Sequence, residues 1–247
     1  MSRETTQRDL DGLGIAVTGA AGDLGGAMAR ELAARGALVT VLDRVAAPEG
    51  AESYVQVDVT DRAAVDAALA AIEPLDVVIG NAGIVEVAPF LDVTQAQWRA
   101  HLDVNLTGCF NTGQAAARLL VEQGRPGLIL FTGSWVGEIP WPEISAYSVS
   151  KAGVRMLARS MARELAAQGI RVNVVAPGIV MAGMAGRQFE TDPVYARRAS
   201  TVIPLGELGT AEQIAKAVGF LCSPDAEYMT GSVLLVDGGA SLFQFSE

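Results

Sequence analysis

Metal ligands and thiols are scarce in this chain. It holds one histidine, His101, and two cysteines, Cys109 and Cys222, which lie far apart and outside any Cys-x-x-Cys run. A zinc site takes about three or four such ligands, so no metal centre is expected, and a histidine-based triad falls on the same count. Long apolar runs are also missing. Each stretch is broken by Gly, Asp or Arg well short of the ~18 residues that a membrane span requires. The start of the chain, Met1 to Asp11, is polar and lacks the apolar centre of a secretory signal. A cytoplasmic protein with no membrane partner is the expectation. Basic charge is in short supply, with 18 Lys and Arg against 28 Asp and Glu for a net charge of −10. Nucleic acid or an anionic membrane surface would be repelled before contact, and neither is expected as a partner. Lysine is rare even among the basic residues, present only as Lys151 and Lys216.

What is present describes a globular α/β protein. Half of the 247 residues are hydrophobic and 19% are charged, and a chain this long hides roughly three-quarters of its unfolded surface on folding. Apolar runs at 15–18, 38–42, 54–57, 77–79, 128–131, 172–175 and 233–236 are mostly continuous Val, Ile and Leu without alternation. That is the pattern of parallel strands covered on both faces. Helical starts lie between them: Asp61 precedes an Ala-rich run, and Thr94 to Gln97 and Thr210 to Gln213 have capping-box spacing. Gly36 and Gly169 sit where helices would stop before the next strand. The expected fold is a doubly wound, Rossmann-like parallel sheet of about seven strands with helices on both faces, forming one domain over 1–247.

Ligands of such a sheet bind beyond the carboxyl ends of its strands. The residues there are 19–25, Asp43, Asp58, Asn81, 132–134 and Pro177-Gly178, a set rich in Gly and small polar side chains. Thr18-Gly19-Ala20-Ala21-Gly22-Asp23-Leu24-Gly25 follows the first strand and opens a helix through Met28 and Leu32. Glycines let the backbone turn sharply and approach a pyrophosphate, and the helix N-terminus offers free N–H groups. Asp43 ends the second strand, where a carboxylate accepts both ribose hydroxyls of an adenosine and repels the extra phosphate of NADP. Arg44 beside it is a candidate partner for that phosphate, but the loop itself supplies no Lys or Arg, so NAD is the expected cofactor.

Ser145-Ala146-Tyr147-Ser148-Val149-Ser150-Lys151 begins a helix expected to run to about Ala167. Tyr147 and Lys151, four apart, project from one helical face. With four Tyr and two Lys in 247 residues, chance places the pair at this spacing only about 0.03 times. A free phenol is about 0.1% ionised at neutral pH, and a cation ~4 Å away at an effective dielectric of ~20 is worth roughly 4 kcal/mol, or about three pKa units. The pair therefore predicts Tyr147 as a general acid/base tuned by Lys151.

Taken in order, the glycine loop at 18–25, Asp58-Val59, Asn81-Ala82-Gly83, Asn105, Ser134, Tyr147 with Lys151, Pro177-Gly178 and Asp237-Gly238-Gly239 resemble the motifs of the short-chain dehydrogenase/reductase family over nearly the whole chain. The resemblance implies that Tyr147 exchanges a proton with the substrate oxygen while Ser134 hydrogen-bonds it. Lys151 would hold the nicotinamide ribose, and Asn105 would anchor a water leading from Lys151 to solvent. Gly19, Gly22, Asp23, Leu24 and Gly25 would cradle the phosphates, with Asp43 and Arg44 at the adenosine ribose. Asp58 and Val59 would meet the adenine, Asn81, Ala82 and Gly83 would run along the cofactor, and Pro177, Gly178 and Ile179 would flank the nicotinamide. It also implies a homotetramer, or failing that a dimer, paired through long helices around 94–121 and 146–167. Three positions depart from the family pattern: Asp23 where a glycine is usual, Gly80 for the first Asn of Asn-Asn-Ala-Gly, and Ala182 where many members place a Thr.

On the substrate side, residues from about Met181 to Val202 are Gly-, Met- and Arg-rich without a strand pattern and are expected to form a mobile lid. Trp135, Trp141, Met184 and Phe189 are candidates for an apolar pocket with Ser134, and Glu86, Glu138 and Glu143 for its mouth. The expected reaction is hydride transfer between NAD(H) and a secondary alcohol or ketone, a cyclic alcohol, polyol or sugar among them. An NADPH-dependent 3-oxoacyl-thioester reductase is the second enzymatic reading. A dinucleotide sensor that keeps the fold without catalysis is the reading from another class.

Overall fold

The computed structural model describes residues 8–45 and 53–242. Seven strands form one parallel sheet: β1 (Gly14–Thr18), β2 (Leu38–Asp43), β3 (Tyr54–Gln56), β4 (Val77–Gly80), β5 (Gly127–Thr132), β6 (Ile170–Pro177) and β7 (Val233–Val236), in the order β3-β2-β1-β4-β5-β6-β7. The doubly wound architecture is the one the apolar runs predict, and each run lies in a strand to within a few residues. The chain winds outward from β1 to β3, then returns to pair β4 beside β1. That reversal opens a crevice at the carboxyl ends of β1 and β4.

The eight α-helices among the described residues are α1 (Asp23–Ala34), α2 (Arg62–Ala70), α3 (Gln95–His101), α4 (Gly108–Glu122), α5 (Ser145–Leu165), α6 (Gly183–Thr191), α7 (Pro193–Val202) and α8 (Ala211–Cys222). The Asp61 side chain accepts from the Ala64 N–H at the start of α2, and Thr94 and Thr210 form complete capping boxes on α3 and α8. Consecutive strand residues serve opposite cores. Ile15 and Val17 pack with Met28 and Leu32 of α1 and Val218 of α8, whereas Ala16 faces the layer of α2, α4 and α5. In β5, Leu128 and Leu130 join the first core and Ile129 and Phe131 the second. Burial on both faces removes any need for alternation, so the strands read as solid apolar runs.

Phe131 accounts for one departure from the family pattern. A Cβ at Gly80 would stand 2.7 Å from its ring, and a Cβ at Gly113 would meet the same ring at 2.7 Å. The helix expected around 94–121 runs unbroken from Gln95 to Glu122, with a change of winding in its middle. A π-helical segment, Leu102–Thr107, joins α3 to α4 and carries Asn105 fully buried. The stretch expected as a lid carries no strand, and its residues form α6 and α7. Asp192 caps α7 through the Val194 and Tyr195 N–H groups, with Pro193 in its first turn. Asp followed by Pro is a start signal for a helix, and the Gly-rich stretch before it obscures that signal.

Candidate active site

The glycine loop turns from β1 into α1 with very little clearance. Gly19 has φ +69°, and a Cβ there would lie 2.6 Å from the Ala82 Cα; one at Gly25 would lie 2.4 Å from the Gly19 carbonyl oxygen. Gly22, the N-cap of α1, offers no side chain to the helix N-terminus. The first-turn N–H groups and the positive end of the helix dipole are therefore available to an anion. Asp43 closes the other side. One carboxylate oxygen accepts from the Ala21 N–H at 3.0 Å and the other from the Val45 N–H at 3.2 Å. Next to it, Asp58 accepts from the Thr60 N–H and hydroxyl, which hold its carboxyl below the usual range.

Asn81 ties the crevice together. Its amide nitrogen donates to the Thr18 and Gly19 carbonyls at 3.0 and 3.3 Å, and its oxygen accepts from the Thr132 hydroxyl at 3.1 Å. Three strand ends thus share one side chain, a structural task beside any contact with a ligand. A cavity of about 570 Å³ runs from Gly19 and Asp23 past Asp43, Arg44, Asp58, Val59, Asn81, Ala82 and Gly83 to Lys151, Pro177 and Gly178. An uncapped helix end, a close-packed glycine turn and a long crevice fit a nicotinamide dinucleotide. Of the expected cofactor residues, Ile179 lies elsewhere, on the wall of a second, adjoining cavity.

On α5, the spacing of four residues brings Tyr147 and Lys151 together as expected. The Lys151 ammonium stands 5.5 Å from the centre of the Tyr147 ring and donates to the Thr132 carbonyl at the end of β5, at 2.8 Å. Lys151 is only 3% exposed. Asn105 closes a paired contact with Ile84, accepting from its N–H at 2.8 Å and donating to its carbonyl at 3.0 Å, while also donating to the Ser150 hydroxyl. A Cβ on Gly83 would stand 3.2 Å from the Asn105 amide oxygen and 3.6 Å from the Lys151 nitrogen, so the three positions form one packed corner. Ser134, also buried, accepts from the Val136 N–H at 3.4 Å.

The second cavity, about 290 Å³, meets the first at Ser134, Tyr147 and Gly178. Trp135 and Trp141 line it as expected, joined by Tyr195, Gln188 and Arg198 from α6 and α7, which the sequence reading omits because it assigns that stretch no helix. Phe189 packs against the apolar cluster behind the wall. Met184 belongs to α6, and its side chain lies outside the described residues. Of the three acids expected at the mouth, only Glu143 lines the cavity; Glu138 pairs with Arg155 at 2.6 Å.

The remaining reactive side chains are spent on the scaffold. Both His101 nitrogens are engaged, one facing the Gln97 carbonyl and the other accepting from the Glu86 N–H. Burial pushes the Cys109 thiol up to about 11 and the Cys222 thiol up to about 12, which suppresses the reactive thiolate at neutral pH. No group of three or more His, Cys, Asp or Glu suited to a metal occurs among the described residues, and no helix there is long and apolar enough to cross a membrane.

The two other departures from the family pattern meet each other. Ala182 is the N-cap of α6 and has no side-chain acceptor to give it. The Asp23 carboxylate, 160 positions earlier, accepts from the Gly183 N–H at 2.7 Å. The acid in the glycine loop thus caps a distant helix, an orientation that spacing within the loop cannot reveal.

Comparison with known proteins places these features in context. The family model described as Enoyl-(Acyl carrier protein) reductase matches residues 19–241. The chain is 37% identical to 3beta-hydroxysteroid dehydrogenase 1 of Eggerthella lenta, covering 97% of this chain and 98% of that protein. It is 36% identical to the L-tagatose-forming galactitol 2-dehydrogenase of Cereibacter sphaeroides, covering 95% and 97%. Among solved structures, an Agrobacterium tumefaciens protein with bound NADP superimposes with a TM-score of 0.89 at 33% identity, covering 97% of this chain and 100% of the other.

Replacing Asp23 with Ala removes the acceptor at the α6 N-terminus. Amide exchange at 183–189 is expected to rise about five- to tenfold, corresponding to a cap worth about 1 kcal/mol. Hydrogen–deuterium exchange of the cofactor-free protein checks this, and unchanged exchange there would show that the contact contributes nothing.

Proposed function

Because the chain belongs to the short-chain dehydrogenase/reductase family, we propose that it is an NAD-dependent oxidoreductase that interconverts a secondary alcohol and its ketone, with α6 and α7 as the lid. One observation carries the reading: Ser134 and Tyr147 line both cavities at once, so a substrate oxygen there lies beside a dinucleotide in the larger one. When bound, the nicotinamide supplies or accepts the hydride. The chain's own groups handle the oxygen. Tyr147 gives its phenolic proton to the ketone oxygen in reduction and takes the alcohol proton in oxidation. The Ser134 hydroxyl donates to the same oxygen and orients it. Lys151, fastened to the Thr132 carbonyl, places positive charge beneath the Tyr147 ring and toward the cofactor ribose. Asn105 holds the π-helical segment against Ile84 behind that corner.

Asp43 supports NAD over NADP, since its carboxylate is anchored at the adenosine end by two backbone N–H groups and would repel a 2′-phosphate. Arg44 lines the same cavity and favours the NADP reading. Exposed Phe110, Val149 and Met156 on α4 and α5 support association of four chains through those helices.

Three measurements test this reading. Tyr147→Phe is expected to cut turnover by about 10²- to 10⁴-fold while NADH still binds, as followed by its fluorescence; equal turnover would refute the role of the phenol. Steady-state kinetics with both reduced cofactors is expected to show a higher kcat/KM for NADH than for NADPH, and the opposite order would assign the cofactor to NADP. Light scattering of the purified protein is expected to give the mass of four chains, and a monomer would remove the proposed assembly.

A further inference from the structure

The smaller cavity contains a charge that hydride transfer itself leaves unused. Arg198 of α7 lines it half-buried, with its guanidinium carbon 5.8 Å from the centre of the Trp141 ring. Trp141 meets Trp135 edge to face at 5.3 Å. A guanidinium lying over an aromatic face keeps its N–H edge free to donate. Two carboxylates share the wall, and neither forms an ion pair with it among the described residues. Asp192 turns one oxygen to the start of α7, where Oδ1 accepts from both the Val194 and Tyr195 N–H groups at 2.9 and 3.1 Å. Glu143 is exposed at the rim with a φ of 66°, where solvent screens its charge. None of the ion pairs among the described residues includes Arg198.

We propose that Arg198 is the anion-binding end of the substrate pocket and that the substrate is a small hydroxy acid or the matching oxo acid. The proposal rests on the alcohol/ketone reading above and names its substrate class. The carboxylate pairs with the guanidinium, the apolar frame lies along Trp141 and Trp135, and the hydroxyl or carbonyl reaches Ser134 and Tyr147. A volume of about 290 Å³ sits at the low end of the roughly 300–1,000 Å³ usual for ligand pockets, which restricts that frame to about one ring. In the oxidative direction the carbinol C–H bond breaks and its hydride passes to the oxidised dinucleotide, which is reduced. The O–H proton passes to the phenolate form of Tyr147, giving the phenol, the C=O bond forms, and the carboxylate is unchanged.

The test compares cyclohexanecarboxylate with its uncharged isostere cyclohexanecarboxamide, by calorimetric titration of the enzyme saturated with NAD. A charge-assisted hydrogen-bonded pair is worth about 10- to 100-fold in affinity, so the wild-type protein is expected to prefer the acid by that factor. Arg198→Met is expected to abolish the preference, and Arg198→Lys, which keeps the charge, to retain part of it. Equal binding of acid and amide by the wild type overturns the proposal, as does a preference that survives in R198M. If R198M fails to fold, R198Q takes its place on the same criterion. Turnover of uncharged ketones without acid preference would discard the anion site and leave the dehydrogenase reading standing. Acid preference without turnover of any alcohol or ketone would do the reverse.

Discussion

A lysine ammonium that is almost wholly buried must be held by something, and here the holder is the Thr132 carbonyl at the end of β5. Removing such a charge from water costs several kcal/mol unless it is paired and hydrogen-bonded. One donor goes to Thr132, the Tyr147 ring lies over the group, and Lys151 also lines the large cavity. The same bond joins α5 to the sheet at the edge where all seven strands end. Tyr147, one turn earlier on α5, is thereby set at the boundary between the two cavities. The position of the phenol depends on where the neighbouring ammonium can be tolerated.

The two cavities are built from different materials. The larger is walled mostly by backbone and short side chains, with Arg44, Tyr147 and Lys151 as exceptions: an uncapped helix end, the glycines of the turn, and strand ends tied through Asn81. Such a surface is made by the fold itself and suits a ligand common to many relatives. The smaller is walled largely by side chains, the large ones Trp135, Trp141, Tyr195 and Arg198 among them. Specificity can change there through side chains alone, without disturbing the sheet.

This division also explains what could be read from the sequence. The strands were legible because burial on both faces leaves solid Val, Ile and Leu runs. The helix starts at Asp61, Thr94 and Thr210 were legible because caps are local. The glycine loop and the Tyr147–Lys151 pair depend on spacings within one or two elements, which a linear text preserves. The π-helical winding at Leu102–Thr107 was not legible, because the contact that Asn105 makes from it reaches Ile84, 21 positions away. Arg198 was invisible for a similar reason: its meaning comes from Trp141, which reaches it only through the tertiary fold. Gly80 is a departure from the motif whose reason is not local, since the Phe131 ring occupies the space a side chain would take.

The bond between Asp23 and Gly183 bears on transplanting parts between relatives. The segment of α6 and α7 that lines the smaller cavity begins at an alanine that cannot cap its own helix, and its anchor belongs to a turn near the other end of the polypeptide. A graft of residues 181–202 into a scaffold with glycine at the position of Asp23 would arrive without its fastening. The reverse graft would leave a carboxylate on the wall of the larger cavity with no amide to accept from. The two segments therefore form one exchangeable unit, and an engineer who wishes to swap substrate range would have to move both.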